Sequence, residues 1–157
     1  MTSLSIESVN PLHADAIYLL HKAAKEVRPM YDTDFDPKGE LPTNLPKVPG
    51  SIYLIARING DPIGSAALRP YEKTTGEVVR MYVLPAYRRQ QIARKLLEQV
   101  EAKAVELGYR VLRLETGNRQ LPAMAMYEGS GYRRIPAYGK YEGDPTSVCF
   151  EKEIVVG

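Results

Sequence analysis

The sequence has little of what several classes of protein require. It contains one cysteine, Cys149, so no internal disulfide can form and nothing points to an oxidising compartment. The two histidines, His13 and His21, have no cluster of cysteines or carboxylates around them, and we therefore expect no metal site. No apolar run approaches the roughly 20 residues that a membrane-spanning helix needs. The sequence thus predicts a protein without a structural metal and without a membrane span.

Charge and the N-terminal residues argue against two further classes. The net charge at pH 7 is +2, too small to indicate a nucleic-acid-binding protein. The first residues, MTSLSIE, have neither a basic start nor an apolar core, so they do not resemble an export signal. The chain has 157 residues, of which 44% are hydrophobic and 25% charged, a globular composition. These features predict one domain over residues 1–157, located in the cytoplasm.

Apolar periodicity and turn residues predict a mixed α/β fold. Strands are predicted over 4–9, 51–58, 61–68, 77–84, 111–115, 132–135 and 147–154. Asn59-Gly60, between the second and third of these, predicts a hairpin turn. A first helix is predicted from an Asn10 N-cap, with Pro11 at its first position, to about residue 27. Further helices are predicted over 92–107 and 122–128, the former stopped by Gly108.

Residues 28–50 do not follow any regular periodicity. The segment contains five prolines together with several aspartates and glycines, so it cannot be a single helix or strand. An irregular segment of this length inside a compact domain is usually functional or mobile. We expect at most one short helical turn here, and a segment that could overlie a binding site.

A basic stretch before the second predicted helix indicates an anion site. The first N–H groups of a helix have no partner within it and carry the positive end of its dipole. Ala93 is small enough to let a ligand approach these groups, and Arg88, Arg89 and Arg94 supply donors suited to phosphate. Arginines at this end of a helix are unfavourable unless an anion is present. The stretch predicts a pyrophosphate site, although three surface arginines can also form an ordinary solvated face.

Two segments carry a resemblance to a known family. Residues 88–93, Arg-Arg-Gln-Gln-Ile-Ala, resemble the Arg/Gln-x-x-Gly-x-Gly/Ala motif of the GNAT acetyltransferases, which joins a strand to a helix. Residues 120–132 are similar to the family's Asn-x-x-Ala-x-x-Leu-Tyr-x-x-x-Gly-Phe block through Ala123, Tyr127 and Gly131. With the hairpin and the first strand and helix, the resemblance covers most of the chain. Gln91 stands where the family usually has glycine, and Gln120 where it often has asparagine.

The resemblance implies a fold and a cosubstrate. The GNAT fold is a central mixed, mostly antiparallel sheet of about six to seven strands, flanked by helices and splayed at the acetyl-CoA cleft. Acetyl-CoA is the implied cosubstrate, with no metal, and the acetyl group passes directly to an amine without a covalent enzyme intermediate. The implied coenzyme contacts are Met81, Tyr82, Val83, Arg88, Arg89, Gln90, Gln91, Ile92, Ala93, Arg94, Gln120 and Tyr127.

The resemblance also indicates catalytic residues. Glu77 opens the strand on which the family often has a catalytic carboxylate, so it is the candidate general base, acting through water on an amine that is mostly protonated at pH 7. Its alternative is an ordinary exposed strand residue. Tyr127 matches the family tyrosine that lies near the sulfur and can protonate the thiolate; its alternative is a core aromatic. Main-chain N–H groups of residues 81–83 would polarise the acetyl carbonyl.

Arginines in or near the predicted strand 77–84 suit an acceptor carboxylate. Arg80 should point to the face opposite Met81, and Arg28 and Arg69 could serve the same purpose. An ion pair within the structure explains such arginines equally well. The leading prediction is an acetyl-CoA-dependent N-acetyltransferase for a small or amino-acid-like amine. Acetylation of a protein or peptide, and coenzyme A binding without catalysis, are the alternatives. We expect no nucleic-acid or membrane partner, and a homodimer is compatible with the sequence.

Overall fold

The computed structural model describes residues 3–155. The single domain predicted over 1–157 includes residues 1–2 and 156–157, which lie outside this description. The strands are β1 (Leu4–Ser8), β2 (Ile52–Ile58), β3 (Asp61–Pro70), β4 (Thr75–Val83), β5 (Val111–Gly117), β6 (Arg133–Ile135) and β7 (Ser147–Glu153). The α-helices are α1 (Ala14–Val27), α2 (Ile92–Glu106) and α3 (Leu121–Gly129), and single 3-10 turns cover Arg28–Met30, Pro85–Tyr87 and Gly139–Tyr141.

The strands of residues 3–155 form one sheet. Its seven strands lie in the order β1-β2-β3-β4-β5-β7-β6. β4 and β5 run parallel, and the other neighbouring pairs are antiparallel. A parallel pair needs a crossover connection, which α2 provides. The predicted fold class, a mixed and mostly antiparallel sheet flanked by helices, is confirmed.

The sheet opens between β4 and β5. Residues Thr75–Val78 pair with Val111–Leu114, yet β4 continues to Val83 and β5 to Gly117. Beyond the paired part, β4 stays with β3 as far as Val83 and β5 stays with β7 as far as Gly117. The two strands therefore separate, and residues 79–83 have no strand beside them on the β5 side. This opening corresponds to the predicted splay.

A β-bulge in β4 lies at the opening. Opposite β3, Ser65 pairs with Tyr82 and Ala67 with Val79, so β4 has one residue more than β3 between these pairs. Arg80, within the bulge, has a φ of 58°, in the left-handed region. That conformation costs a residue with a β-carbon about 1 kcal/mol. A bulge bends its strand and increases the local twist, which helps β4 turn away from β5.

Helices cover both faces of the sheet. On one face, here called the α1 face, Ala16 and Leu19 of α1 pack against Tyr53, Ile55 and Ala67. The opposite α2 face is covered by α2 and α3 and holds the larger core. The apolar residues of α2 recur about every four positions, as predicted. The buried ones are Ile92, Leu96, Leu97, Val100 and Ala104. No helix within residues 3–155 combines the length and the apolar character that crossing a bilayer requires.

The start of α1 differs from the prediction. The helix begins at Ala14, and its N-cap is His13, whose Nδ1 accepts a hydrogen bond from the Asp15 N–H at 3.0 Å. Asn10 instead accepts from the Leu12 N–H at 2.9 Å and forms a turn before the helix. Asparagine favours both N-caps and such turns, so the sequence alone did not separate the two.

Two other local predictions are confirmed. Asn59 and Gly60 both have positive φ, 51° and 87°, as the tight turn of a β-hairpin requires. In the 28–50 segment the helical structure is confined to the turn Arg28–Met30, and the remainder has no helix or strand.

Candidate active site

A cleft of about 730 Å³ lies where β4 separates from β5. Its walls are the end of β4, the N-terminus of α2, the N-terminus of α3 and the end of α1. The size suits an organic ligand. Most predicted coenzyme contacts meet here, namely Met81, Tyr82, Val83, Arg88, Arg89, Gln91, Ile92, Ala93, Arg94 and Gln120.

The N-terminus of α2 faces the cleft without a cap of its own. Gln91 is the N-cap residue, and its side chain makes no capping hydrogen bond. The first turn contains no acidic residue that could balance the helix dipole. The N–H groups of the first turn therefore lack partners within the helix, and an anion would satisfy them.

The loop that leads into α2 has an unusual backbone. Arg89 and Gln91 have φ values of 65° and 64°, which lie in the left-handed region. Each such residue costs about 1 kcal/mol because of its β-carbon. Gln91 occupies the position where the family motif usually has glycine. Its left-handed backbone is a conformation that glycine adopts without strain, and here a residue with a side chain adopts it.

The three arginines of the predicted anion site differ in what they contact. The Arg88 guanidinium donates to the Val83 carbonyl at 3.0 Å and to the Glu26 carboxylate at 2.8 Å, so it joins the end of β4 to α1. Arg94 lies 3.8 Å from the Glu98 carboxylate, a weak exposed contact. Arg89 forms no ion pair within residues 3–155. Arg89 and Arg94 are thus the arginines whose charge is available to a ligand in the cleft.

Two predicted coenzyme residues do not line the cleft. Gln90 is exposed beside it, and Tyr127 is only 4% exposed. The Tyr127 ring packs against Tyr132 and Phe150, with ring centroids 6.0 Å apart in each case. Burial, and then the nearby charge of Glu115, raise the pKa of the Tyr127 hydroxyl, so it keeps its proton at neutral pH.

Glu77 lies on the α1 face and is 3% exposed. One carboxylate oxygen accepts from Arg69 Nε at 2.7 Å, and the other accepts from the Tyr138 hydroxyl at 2.7 Å. Glu77 also stands beside Arg113 of β5, which in turn contacts Glu151 of β7 at 2.8 Å. It is therefore a buried, fully engaged carboxylate within a row of alternating charges, not an exposed strand residue.

Arg80 and Arg28 also lie away from the cleft lining. Arg80 Nε donates to the Asn44 side-chain oxygen at 3.0 Å, and Asn44 is held in turn by the Pro11 carbonyl at 2.9 Å. Burial around the guanidinium, then the positive charges of Arg69 and Arg28, lower the pKa of Arg80, while the charges of nearby tyrosines oppose this. Arg69 pairs with Glu77, and none of the three arginines proposed for the acceptor lines the cleft.

One acidic residue at the opening, Glu115, was not predicted from the sequence as a site residue. Glu115 of β5 lies just past the last residue paired with β4, and its carboxylate accepts from the Ser147 hydroxyl at 2.7 Å. Burial is the main cause of its raised pKa. Glu115 is half-buried between the buried residues Leu114 and Thr116. This alternation is typical of a strand and does not by itself indicate a functional site.

Hydrogen bonds join the 28–50 segment to the residues after β5, to β4 and to α1. Near its start, the Tyr31 hydroxyl accepts from the Arg119 N–H at 2.9 Å, and Arg119 donates to the Met30 carbonyl at 2.8 Å. Further along, Asn44 meets Arg80, as described above, and the Pro42 carbonyl lies 3.0 Å from His21 Nε2. Within residues 3–155 no group of three or more histidine, cysteine or acidic side chains could hold a metal ion.

Comparison with known proteins places these features in a family. The family model described as the Acetyltransferase (GNAT) family matches residues 16–132. A protein of Azospirillum brasilense named IAA acetyltransferase is 33% identical over 155 residues, 98% of this chain and 100% of that protein.

Solved structures agree with this match. A Klebsiella pneumoniae protein provisionally described as an acyl-CoA N-acyltransferase has a TM-score of 0.81 and 31% identity, covering 97% of this chain and 98% of that one. A GNAT acetyltransferase of Elizabethkingia anophelis, solved with acetyl-CoA bound, has a TM-score of 0.68 at 21% identity and covers 96% and 97% of the two chains. The latter likeness concerns the fold alone.

Proposed function

The chain belongs to the GNAT family of acetyltransferases, and we propose that it transfers an acetyl group from acetyl-CoA directly to the amine of a small, amino-acid-like molecule. Its relatives make it an acyltransferase. The observation that carries the proposal is the uncapped N-terminus of α2, which opens into a cleft of suitable size between the separated strands.

The cleft suits the charged part of the coenzyme. The pyrophosphate would accept hydrogen bonds from the N–H groups of residues 91–94 and take the place of the missing cap. Arg89 and Arg94 would add charge, whereas Arg88 is already engaged by Glu26 and would hold the wall in position. The unpaired edge of β4 over residues 79–83 offers main-chain groups to the extended arm of the coenzyme.

The residues of the chain supply three parts of the chemistry. When bound, acetyl-CoA supplies an acyl group activated as a thioester. Main-chain N–H groups of residues 81–83 would stabilise the negative charge that develops on the acyl oxygen. Tyr127, kept protonated by its burial, would donate a proton to the departing thiolate. A carboxylate would accept the proton of the amine.

Two glutamates are candidates for that carboxylate. Glu77 is the one predicted from the sequence, but both of its oxygens already accept hydrogen bonds, one of them from a guanidinium. Glu115 has a single hydroxyl donor, a pKa raised by burial, and a place at the strand opening. These observations favour Glu115 as the proton acceptor, and Glu77 stays a prediction that the same experiment tests.

Dependence of kcat/KM on pH separates the two glutamates. A base must be deprotonated, so with Glu115 as the base activity should fall as the pH drops through its raised pKa. We expect Glu115→Gln to lower kcat/KM about 100-fold and to remove this acid limb. Glu77→Gln should keep the limb and lose stability, because Arg69 and Tyr138 lose their acceptor. A limb that disappears only in Glu77→Gln would identify Glu77 as the base.

The fastening of the 28–50 segment favours a small acceptor. A protein or peptide substrate would need an open groove on the α1 face, whereas Asn44 and Tyr31 tie this segment across the region. Binding of coenzyme A without catalysis is disfavoured by the position of the Glu115 carboxylate at the strand opening, next to the last residue of β5 that pairs with β4. No observation favours a nucleic-acid partner, and a homodimer remains a prediction.

A coenzyme titration tests the proposal. Acetyl-CoA at about 100 times its Kd should raise the free energy of unfolding by about 2.7 kcal/mol, measured by urea denaturation. Release of free thiol should then be followed with a panel of small amines. Stabilisation without thiol release from any amine would leave only the coenzyme binder, and absence of both would reject the proposal.

A further inference from the structure

The Tyr53 hydroxyl lacks a partner. Tyr53 is 4% exposed, and among the buried side-chain polar atoms of residues 3–155 its hydroxyl alone makes no hydrogen bond. Its polar neighbours are Asn44, Ser65 and Arg80. A buried hydroxyl without a partner is unfavourable, so its presence in a folded protein calls for an explanation.

The neighbours of this hydroxyl are committed elsewhere. The Ser65 hydroxyl donates to the Arg80 carbonyl at 2.7 Å. The Asn44 amide donates to the Pro11 carbonyl at 2.9 Å, and its oxygen accepts from Arg80 Nε at 3.0 Å. These contacts hold the surroundings of Tyr53 in place, and Asn44 and Ser65 lie beside its hydroxyl without completing a hydrogen bond of good geometry.

The Arg80 side chain is exposed and has no acidic partner within residues 3–155. Arg28 and Arg69 lie near enough to add positive charge. Of these three arginines, Arg69 alone is paired with an acid, Glu77, within residues 3–155. Arg80 also keeps a left-handed backbone at the bulge, a position that glycine would occupy without strain.

Negative charge lies on the other side of the same region. Tyr138 donates to Glu77 at 2.7 Å and packs against Tyr141 with ring centroids 5.3 Å apart. Glu115 follows Arg113, the strand partner of Glu77, by two residues and so lies on the same face of the sheet. Glu115 stands at the strand opening, whereas Arg80 and Tyr53 lie toward α1. The region thus has a positive part with an unpaired hydroxyl and a negative part beside the opening.

We propose that the acceptor is an amino acid whose carboxylate binds between the Arg80 guanidinium and the Tyr53 hydroxyl, with its amine directed to Glu115. The inference rests on the proposed function and names its substrate class. One N–H of Arg80 is used by Asn44, and the remaining guanidinium donors, with the tyrosine O–H, match the two oxygens of a carboxylate. Because Arg80 attracts the carboxylate and Glu115 attracts the amine, the amine end of the acceptor faces the acyl group.

Matched acceptors test the substrate class. The common amino acids should be acetylated with kcat/KM at least about 10-fold higher than their primary carboxamides, which keep the amine and side chain but lose the carboxylate charge. Thiol release is the measurement. In parallel, calorimetry with coenzyme A present should show that N-acetyl amino acids bind more tightly than N-acetyl amino acid amides, a readout that needs no turnover.

Two variants locate the carboxylate. Tyr53→Phe removes only the unpaired hydroxyl, so it should leave the melting temperature unchanged or raised while KM for amino acids rises about 10-fold. Arg80→Gln should raise the same KM by at least as much and reduce the preference for amino acids over their carboxamides. Tyr109→Phe is the matched control: its buried hydroxyl donates to the Gly50 carbonyl at 2.7 Å, so this variant should lose stability and keep the preference.

The outcomes separate this inference from the proposed function. If amines are acetylated but amino acids and carboxamides are used and bound equally, the carboxylate site is rejected and the acetyltransferase stands. A lower melting temperature of Tyr53→Phe with unchanged KM would make the hydroxyl structural and would also reject the site. If no amine is acetylated, the calorimetry still decides about the carboxylate site. Equal binding of the N-acetyl amino acids and their amides would reject that site, and tighter binding of the acids would support it.

Discussion

Replacing Tyr127 by phenylalanine should lower kcat about 100-fold while the Kd for acetyl-CoA stays within about twofold. The ring is held in the core by two aromatic neighbours, and burial and Glu115 raise the pKa of its hydroxyl. It is therefore protonated at neutral and mildly alkaline pH, as a proton donor to a thiolate must be. Phenylalanine keeps the ring contacts and removes only the donor. Steady-state thiol release gives kcat, and calorimetry gives the Kd.

Tyr132→Phe is the control for this substitution. Tyr132 belongs to the same aromatic cluster, and its hydroxyl donates at 2.8 Å to Glu101, which lies further along α2 and outside the cleft lining. Its loss should lower stability by about 1 kcal/mol and leave kcat unchanged. Full turnover by Tyr127→Phe would remove Tyr127 from the mechanism, and equal losses in both variants would assign it a packing role.

Gln91→Glu should weaken acetyl-CoA binding at least about 10-fold and stabilise the free protein slightly. The substitution changes an amide to a carboxylate of nearly the same shape at the N-cap of α2. A negative charge there interacts favourably with the helix dipole, by about 0.3–1 kcal/mol. In the complex it would repel a pyrophosphate a few ångströms away. The two effects have opposite signs, so a general loss of folding cannot produce them.

Gln99→Glu provides the matched control. Gln99 is exposed on the same helix, and the substitution changes the net charge by the same amount away from the cleft lining. Urea denaturation measures the stability, and calorimetric titration at fixed ionic strength measures the affinity. Equal weakening by both variants would show a general effect of charge, and unchanged affinity in Gln91→Glu would place the pyrophosphate elsewhere.

Much of the fold could be predicted because its signals are local. The Asn59-Gly60 turn, the four-residue apolar repeat of α2 and the glycine after it depend on neighbours within one or two turns of chain. The predicted start of α1 was wrong because Asn10 suits both a turn and a cap, and tertiary packing decides between the two. Of the motif at 88–93, every residue except Gln90 lines the cleft, and its role in binding the coenzyme stays a prediction.

The rest of the site could not be predicted, because it consists of contacts between residues distant in sequence. Glu26 engages Arg88 across 62 positions, and Asn44 engages Arg80 across 36. Neither pair follows a period or a motif. The bulge that gives Arg80 its backbone conformation depends on the register between β3 and β4, which no single strand specifies.

The sequence by itself determined the order of strands and helices, the hairpin, and a helix that begins next to a basic loop. These follow from side-chain periodicity and backbone preferences over short distances. Only the tertiary structure decided that β4 and β5 separate after four paired residues, that Glu77 is fully hydrogen-bonded while Glu115 has one donor, and that the Tyr53 hydroxyl has none. Those features depend on sheet register and burial, which bring together groups that the linear sequence keeps apart.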